Sequence, residues 1–146
     1  MVVTDMEQDM ARKGKPIRTA RCVLRLEDRY LLVVHRGRLR NPGWGLPGGH
    51  VEREEDALET VRRELWEELY LRPEVFVSLG DYRYRGHAHR VFGCDVSESP
   101  GRFDRSELLR IGWYSCDGVA ELAARGKLHA GYEIDAVRRF AAISGK

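Results

Sequence analysis

The most informative absences in this 146-residue chain are those of long apolar runs and of paired cysteines. No apolar stretch approaches the ~20 residues that a transmembrane helix needs, so the sequence predicts no membrane partner. The three cysteines, Cys22, Cys94 and Cys116, are far apart and form no C-x-x-C pair. An odd, scattered set of thiols is typical of buried free cysteines in a reducing compartment, and we therefore expect a cytoplasmic protein.

The chain also has little net charge. The net charge of +2 is too small to indicate nucleic acid as a stable partner. Only four of the 25 basic residues are lysine, a bias that genome composition explains as readily as the suitability of arginine for phosphate. With 42% hydrophobic and 33% charged residues, the composition is that of a globular protein.

The length of the chain favours one domain, and neither a repeat nor a linker divides it. The first residues, MVVTDMEQDM, lack the basic-then-apolar layout of a secretion signal. Because the residues before Pro16 are polar and charged, we expect a mobile tail over 1–15 and a single folded domain over 16–146.

Apolar patterning predicts a mixed α/β architecture. Strand-like segments lie at 17–26, 30–35, 74–84, 88–96 and 108–114. Helical spacing follows Asp56 and recurs at 117–124 and 132–143. Strands that flank one central helix, with helices at the end of the chain, predict a mixed sheet between helical layers.

The stretch from 44 to 71, WGLPGGHVEREEDALETVRRELWEELYL, organises the rest of the chain. A glycine-proline loop leads into a helix whose apolar residues recur at three- and four-residue spacing: Ala57, Leu58, Val61, Leu65 and Leu69. Glu68 falls inside this apolar arc, Glu64 lies at its edge and Glu67 lies just beyond. A carboxylate on the buried side of a helix is costly unless something positive meets it.

Three converging carboxylates therefore predict a hard divalent cation with oxygen ligands. The glycines of the preceding loop allow a backbone carbonyl to approach such an ion. A surface helix with a solvated acidic face is the alternative, but this alternative leaves Glu68 unexplained.

The same stretch resembles the Nudix box, G-x5-E-x7-R-E-U-x-E-E-x-G-U, in which U is apolar. Gly49, Glu55 and the run at 63–71 match every specified position except one, where Tyr70 replaces a glycine. That glycine would serve as the left-handed cap of the helix, so the departure concerns the helix end rather than the carboxylates. The resemblance implies the α/β/α sandwich of the Nudix family.

The resemblance also implies a magnesium-dependent hydrolase, with manganese as an alternative ion, that acts on a nucleoside diphosphate linked to another group. It assigns Glu64, Glu67 and Glu68, together with the Gly48 carbonyl, to the metal. Arg63 would pair with a glutamate of the box.

Catalysis would then depend on Glu64 and Glu68, with Glu107 as a further acid in the loop before the last strand. Glu98 and Asp104 lie in the same loop and are alternatives to Glu107, and a solvent-exposed role explains each of them equally well.

Three residues are expected to contact the substrate: Arg25, Arg36 and His50. His50 stands where family members often place a lysine near the phosphates, Arg36 lies in a basic loop, and Arg25 lies on the first strand, which helps to form the cleft. A structural role or a solvent-exposed position is the alternative for each. His87 and His89 alternate near a hairpin tip, where we expect them at the surface.

The region 85–89 carries neither the proline typical of family members that cleave ADP-ribose nor the tyrosine typical of those that cleave dinucleoside polyphosphates. The resemblance therefore favours a nucleoside triphosphate, cut to the monophosphate and pyrophosphate as in MutT-like enzymes. Two alternatives stay open: an ADP-ribose or nucleotide-sugar pyrophosphatase, and a non-catalytic nucleotide-binding domain. A homodimer also stays open.

Overall fold

The computed structural model describes residues 17–38 and 42–144, and the tail predicted at 1–15 lies outside this part. The described residues form six strands: β1 (Thr19–Leu26), β2 (Arg29–His35), β3 (Gly48–His50), β4 (Val77–Tyr84), β5 (His87–Asp95) and β6 (Leu108–Ser115). They also form three helices: α1 (Ala57–Leu69), α2 (Cys116–Ala124) and α3 (Glu133–Ser144).

The strands form one mixed sheet in the order β4-β5-β1-β2-β6. β1 runs parallel to β5, and the other pairs are antiparallel. Along β1 the side chains alternate, so Ala20, Cys22 and Leu24 join the core beneath α1 while Val23 joins the core beneath α2 and α3. The sheet is thus covered on both faces, which confirms the predicted α/β/α sandwich.

The sheet divides along one edge of β1. The C-terminal end of β1 pairs with β2, whereas its first three residues pair with β3. Cys22 N–H donates to the Pro47 carbonyl at 2.9 Å, and Val51 N–H donates to the Arg18 carbonyl at 2.8 Å. The sequence predicted a loop at 48–50, because two glycines cannot show the alternation of apolar and polar side chains that indicates a strand. The structure forms strand β3 there instead. The pairing leaves β2 and β3 diverging from the same edge, with a gap between them.

Helix α1 begins where the sequence predicts. The Asp56 carboxylate accepts the Glu59 N–H at 2.8 Å, and the Glu59 carboxylate accepts the Asp56 N–H at 2.9 Å. This reciprocal capping box satisfies two donors at the helix start. The helix ends at Tyr70, which adopts the left-handed conformation (φ 57°, ψ 35°) usually taken by glycine. The Tyr70 ring contacts Trp66 edge-on and lies 4.4 Å beneath the Arg102 guanidinium.

The other predicted elements differ from the structure mainly at their ends. The strand predicted at 74–84 begins at Val77, and the helix predicted at 132–143 spans Glu133–Ser144. Cys22 and Cys94 are buried free thiols, as predicted, whereas the free thiol of Cys116 is only half-buried. None of the described helices is long and apolar enough to span a membrane.

Candidate active site

Two carboxylates face the gap between β2 and β3. The Glu68 side chain is only 4% exposed, and that of Glu64, one turn earlier on α1, is 16% exposed. Glu68 Oε2 lies 3.0 Å from Nε2 of His35, at the end of β2. Among the described residues, the buried Glu68 Oε1 has no hydrogen-bond partner. The apolar arc of the helix thus brings the Glu68 carboxylate to the sheet.

Burial dominates the electrostatics of this pair. It raises the pKa of both Glu64 and Glu68 to about 7, and the charge of Glu68 adds to the shift at Glu64. Arg21 opposes both shifts. Burial also lowers the pKa of His35 to about 2, helped by the positive charges of Arg38 and Arg21. The neutral imidazole therefore donates its Nε2–H to Glu68 instead of forming an ion pair.

Gly48 and Gly49 form the other wall of the site. A Cβ on Gly49 would overlap the Glu64 carboxylate, and a Cβ on Gly48 would overlap the Ala20 carbonyl oxygen. Gly48 also has a φ of +141°, which L side chains rarely adopt. It faces Arg21 in a non-hydrogen-bonded pair, so its N–H and C=O point away from β1. The nearby Gly48 amide lowers the pKa of Glu68, which indicates that this free edge faces the gap.

These groups fit a hard divalent cation. Mg²⁺ binds oxygen donors of the kinds found here. They are a buried carboxylate oxygen that has no partner among the described residues, a second carboxylate with a raised pKa, and a backbone carbonyl that faces the gap. Within the described ranges, however, no three His, Cys, Asp or Glu side chains are grouped to hold a metal. Of the three predicted carboxylates, Glu67 is half exposed and accepts a 3.1 Å hydrogen bond from Arg63.

Arg63 pairs with glutamates of the same stretch, as predicted. Its guanidinium donates to the Glu55 carboxylate at 2.7 and 3.1 Å and to the His50 carbonyl at 3.2 Å, besides its contact with Glu67. Glu55 also accepts the Thr60 hydroxyl at 2.6 Å. Arg63 therefore holds the segment between β3 and α1 against the helix, which positions Gly49 beside Glu64.

This cluster predicts an acid-sensitive contribution to stability. Hydrogen bonds from Arg63 lower the pKa of Glu55 from its ordinary 4.5 to about 2. The unfolded chain therefore takes up this proton near pH 4.5, whereas the folded protein takes it up only near pH 2, so the free energy of unfolding falls between these values. We expect Glu55→Gln to flatten this pH dependence in urea unfolding. Glu121→Gln, on the surface of α2, is the control, and equal slopes in the two variants would contradict the assignment.

The loop before β6 approaches the same carboxylates. Asp104 N–H donates to the Glu68 carbonyl at 2.8 Å, and Arg36 N–H donates to the Glu107 carbonyl at 2.9 Å. The charge of Glu107 raises the pKa of Glu68, so Glu107 lies within electrostatic reach of the site. The Asp104 carboxylate accepts instead from the amide and hydroxyl of Ser106. Glu98 lies beside Leu71 and Pro73.

The structure does not bring the three predicted substrate residues together. Arg25 makes a bidentate ion pair with Asp95 at 2.7 and 2.9 Å and stacks 4.1 Å over the Phe140 ring. The Arg36 side chain is exposed and donates to the Arg105 carbonyl. His50 is exposed at the edge of a separate cavity of about 580 Å³, whose lining includes neither Glu64 nor Glu68.

Sequence patterning missed three polar residues near the site: Arg21, His35 and His89. Arg21 is buried within electrostatic reach of Glu64 and Glu68. His89 was expected at the surface, but it is 6% exposed, and its Nδ1 lies 2.7 Å from the Tyr132 hydroxyl. A charged residue between Ala20 and Cys22 of a strand was the available signal for Arg21.

Comparisons with known proteins place these features in one family. The family model described as NUDIX domain matches residues 15–136. A curated protein from Streptomyces ambofaciens, named MutT-like protein, is 36% identical over 121 residues, which cover 82% of this chain and 71% of that protein.

Solved structures share the fold. A NUDIX hydrolase from Nitrosomonas europaea superposes with a TM-score of 0.69 at 25% identity, covering 88% of this chain and 90% of that one. The NUDIX domain of Shewanella oneidensis NrtR, solved in complex with ADP ribose, superposes with a TM-score of 0.71 at 18% identity and covers 97% of this chain and 99% of its own.

Proposed function

The chain belongs to the Nudix hydrolase family, whose members act on phosphoric anhydride bonds, and from this premise we propose that it hydrolyses a nucleoside triphosphate to the monophosphate and pyrophosphate. The observation that carries the proposal is the pair Glu64 and Glu68 beside the Gly48–Gly49 backbone, where one buried Glu68 oxygen has no hydrogen-bond partner among the described residues. The name of the Streptomyces relative and the absence of the ADP-ribose and dinucleotide markers from 85–89 support the triphosphate.

The family generally uses divalent metal ions, and we propose Mg²⁺ held by Glu64, Glu68 and the Gly48 carbonyl. When bound, the ion neutralises the diphosphate oxygens and orients the attacking water. Glu67, predicted as a further ligand of this shell, accepts a hydrogen bond from Arg63 through one carboxylate oxygen. His35 keeps the Glu68 carboxylate oriented through its Nε2 hydrogen bond. The Arg63 contacts keep Gly49, and with it the Glu64 carboxylate, in place.

Glu107 accepts the proton that water loses as it attacks phosphorus. It is the acid of the loop before β6 whose charge acts on Glu68, whereas Asp104 is held by Ser106. We expect Glu107→Ala to lower kcat by about 100-fold or more, the usual contribution of a general base. Glu98→Ala is the matched control from the same loop. Equal turnover of Glu107→Ala and wild-type protein, with folding checked by circular dichroism, would remove Glu107 from the mechanism.

A substrate panel tests the proposed activity. The protein is incubated in parallel with Mg²⁺ and canonical or oxidised guanine triphosphates, ADP-ribose or nucleotide sugars, and the products are identified by chromatography. We expect monophosphate and pyrophosphate from a triphosphate at the highest kcat/KM. Faster cleavage of ADP-ribose or a nucleotide sugar would replace the triphosphate assignment, and binding without cleavage of any compound would favour a nucleotide-binding domain.

A further inference from the structure

Two arginines, one buried and one half-buried, lie within electrostatic reach of the catalytic carboxylates. Arg21 on β1 is 9% exposed, and Arg38 follows the end of β2. Burial, and then the charge of Arg21, lowers the pKa of Arg38 to about 9, so the two guanidinium groups lie close enough to repel each other. Among the described residues, the buried Arg38 Nη1 has no hydrogen-bond partner. Repelling cations with an unused donor require an anion.

The neighbouring carboxylates do not fully supply this anion. Glu133 acts on both arginines, but its two oxygens accept the Ala130 and Gly131 N–H groups at 2.9 and 2.7 Å. Glu68 also acts on both arginines. Its negative charge, however, is the one that the proposed divalent cation would take up. With the cation bound, two positive guanidinium groups would face the single negative charge of Glu133.

Two uncharged side chains, His89 and Tyr132, also interact with the arginines. His89 is neutral at physiological pH, because burial and the charges of both arginines lower its pKa to about 3. Its Nδ1 contacts the Tyr132 hydroxyl at 2.7 Å, and burial raises the Tyr132 pKa above its ordinary value. The Tyr132 ring stacks on Tyr82 with the centroids 4.8 Å apart. Arg21 hydrogen-bonds to the Tyr132 side chain, but this neutral tyrosine supplies no negative charge to the arginines.

We propose that Arg21 and Arg38 bind a phosphate group of the substrate next to the one that the metal holds. The inference rests on the proposed function, since it places the polyphosphate between Glu64 and Glu68 on one side and the arginine pair on the other. Guanidinium forks match phosphate oxygens in pairs of charge-assisted hydrogen bonds. The arginine pair is thus a substrate-binding element in place of Arg25, whose fork is occupied by Asp95.

Calorimetric binding of inorganic pyrophosphate with Mg²⁺ tests this pair without requiring hydrolysis. We expect Arg38→Gln to weaken pyrophosphate binding by about 10- to 100-fold, because one charged hydrogen-bonding fork is lost. Affinity for Mn²⁺ alone, measured by electron paramagnetic resonance, stays unchanged. Arg125→Gln, on the surface beyond α2, is the matched control and keeps the wild-type affinity for pyrophosphate.

Arg21→Lys provides a second variant that keeps the buried charge but loses the fork, and it should weaken pyrophosphate in the same direction. Unchanged pyrophosphate affinity in folded Arg38→Gln protein would overturn the proposal, as would a loss that Arg125→Gln shows equally. Failure of the proposed function looks different. In that case the wild-type protein cleaves ADP-ribose or a nucleotide sugar faster than any triphosphate, or cleaves nothing in the panel. The comparison of pyrophosphate affinities still reports on the arginine pair.

Discussion

Replacement of Glu68 with glutamine is expected to lower kcat by about three orders of magnitude or more, since a metal ion contributes several kcal/mol of charge stabilisation. Glutamine keeps the shape of the side chain and removes the charge that would hold the cation. Because the buried carboxylate already has a pKa of about 7, loss of its charge also removes a desolvation cost. The melting temperature should therefore be unchanged or higher. Steady-state kinetics with Mg²⁺ and thermal unfolding measure the two effects separately.

Glu64→Gln should behave in the same way, and Glu121→Gln serves as the control on an exposed helix. Excess chelator should abolish the turnover of the wild-type protein. It should cause no further decrease in the low turnover of Glu68→Gln. Full activity of either box variant, or of wild-type protein in chelator, would refute the assignment of this pair to a metal.

Alanine substitutions of the two neighbouring glycines should have different effects, one on activity and the other on stability. An added Cβ on Gly49 meets the flexible end of Glu64, so Gly49→Ala should fold but displace that carboxylate. A displacement of about 1 Å at a catalytic group costs about 100-fold in kcat. An added Cβ on Gly48 instead meets the Ala20 backbone, at a φ of +141°. Strain and overlap should together lower the free energy of unfolding by about 3 kcal/mol or more.

Chemical denaturation measures the free energy of unfolding of the two variants, and steady-state kinetics measures their kcat. Gly101→Ala is the control, since an added Cβ there meets nothing within 4 Å. If Gly49→Ala keeps wild-type turnover, close packing of Glu64 against this glycine is not needed for activity. If Gly48→Ala is as stable as wild-type protein, the backbone contact with β1 does not constrain this position.

The helix and its buried carboxylate were predictable because their determinants are local. Asp56 and Glu59 are three residues apart, a spacing that indicates a capping box in the local sequence, and the helix begins there. The apolar spacing of α1 placed Glu68 on the side that proves to be buried. The Nudix likeness and its sandwich fold followed from the same stretch and are confirmed.

Predictions that depended on side-chain partners were less accurate for a physical reason. The sequence shows that Glu67 lies near the carboxylate arc, but only the folded side chains show that Arg63 holds it. In the same way, Arg21 and Arg25 point to one face of β1, yet only the neighbouring strand supplies Asp95 to Arg25. Charge alone does not reveal which cation is already paired.

By itself the sequence determined the family, the layered α/β architecture and the two carboxylates Glu64 and Glu68, because repeating patterns and fixed spacings encode them along the chain. Only the tertiary structure decided what meets those carboxylates: His35, 33 residues before Glu68, and the Gly48 backbone at the edge of β3. It also brought Arg21 and Arg38 together. Contacts between distant segments arise from strand pairing and burial. The spacing of residues along the chain does not predict which distant side chains will meet.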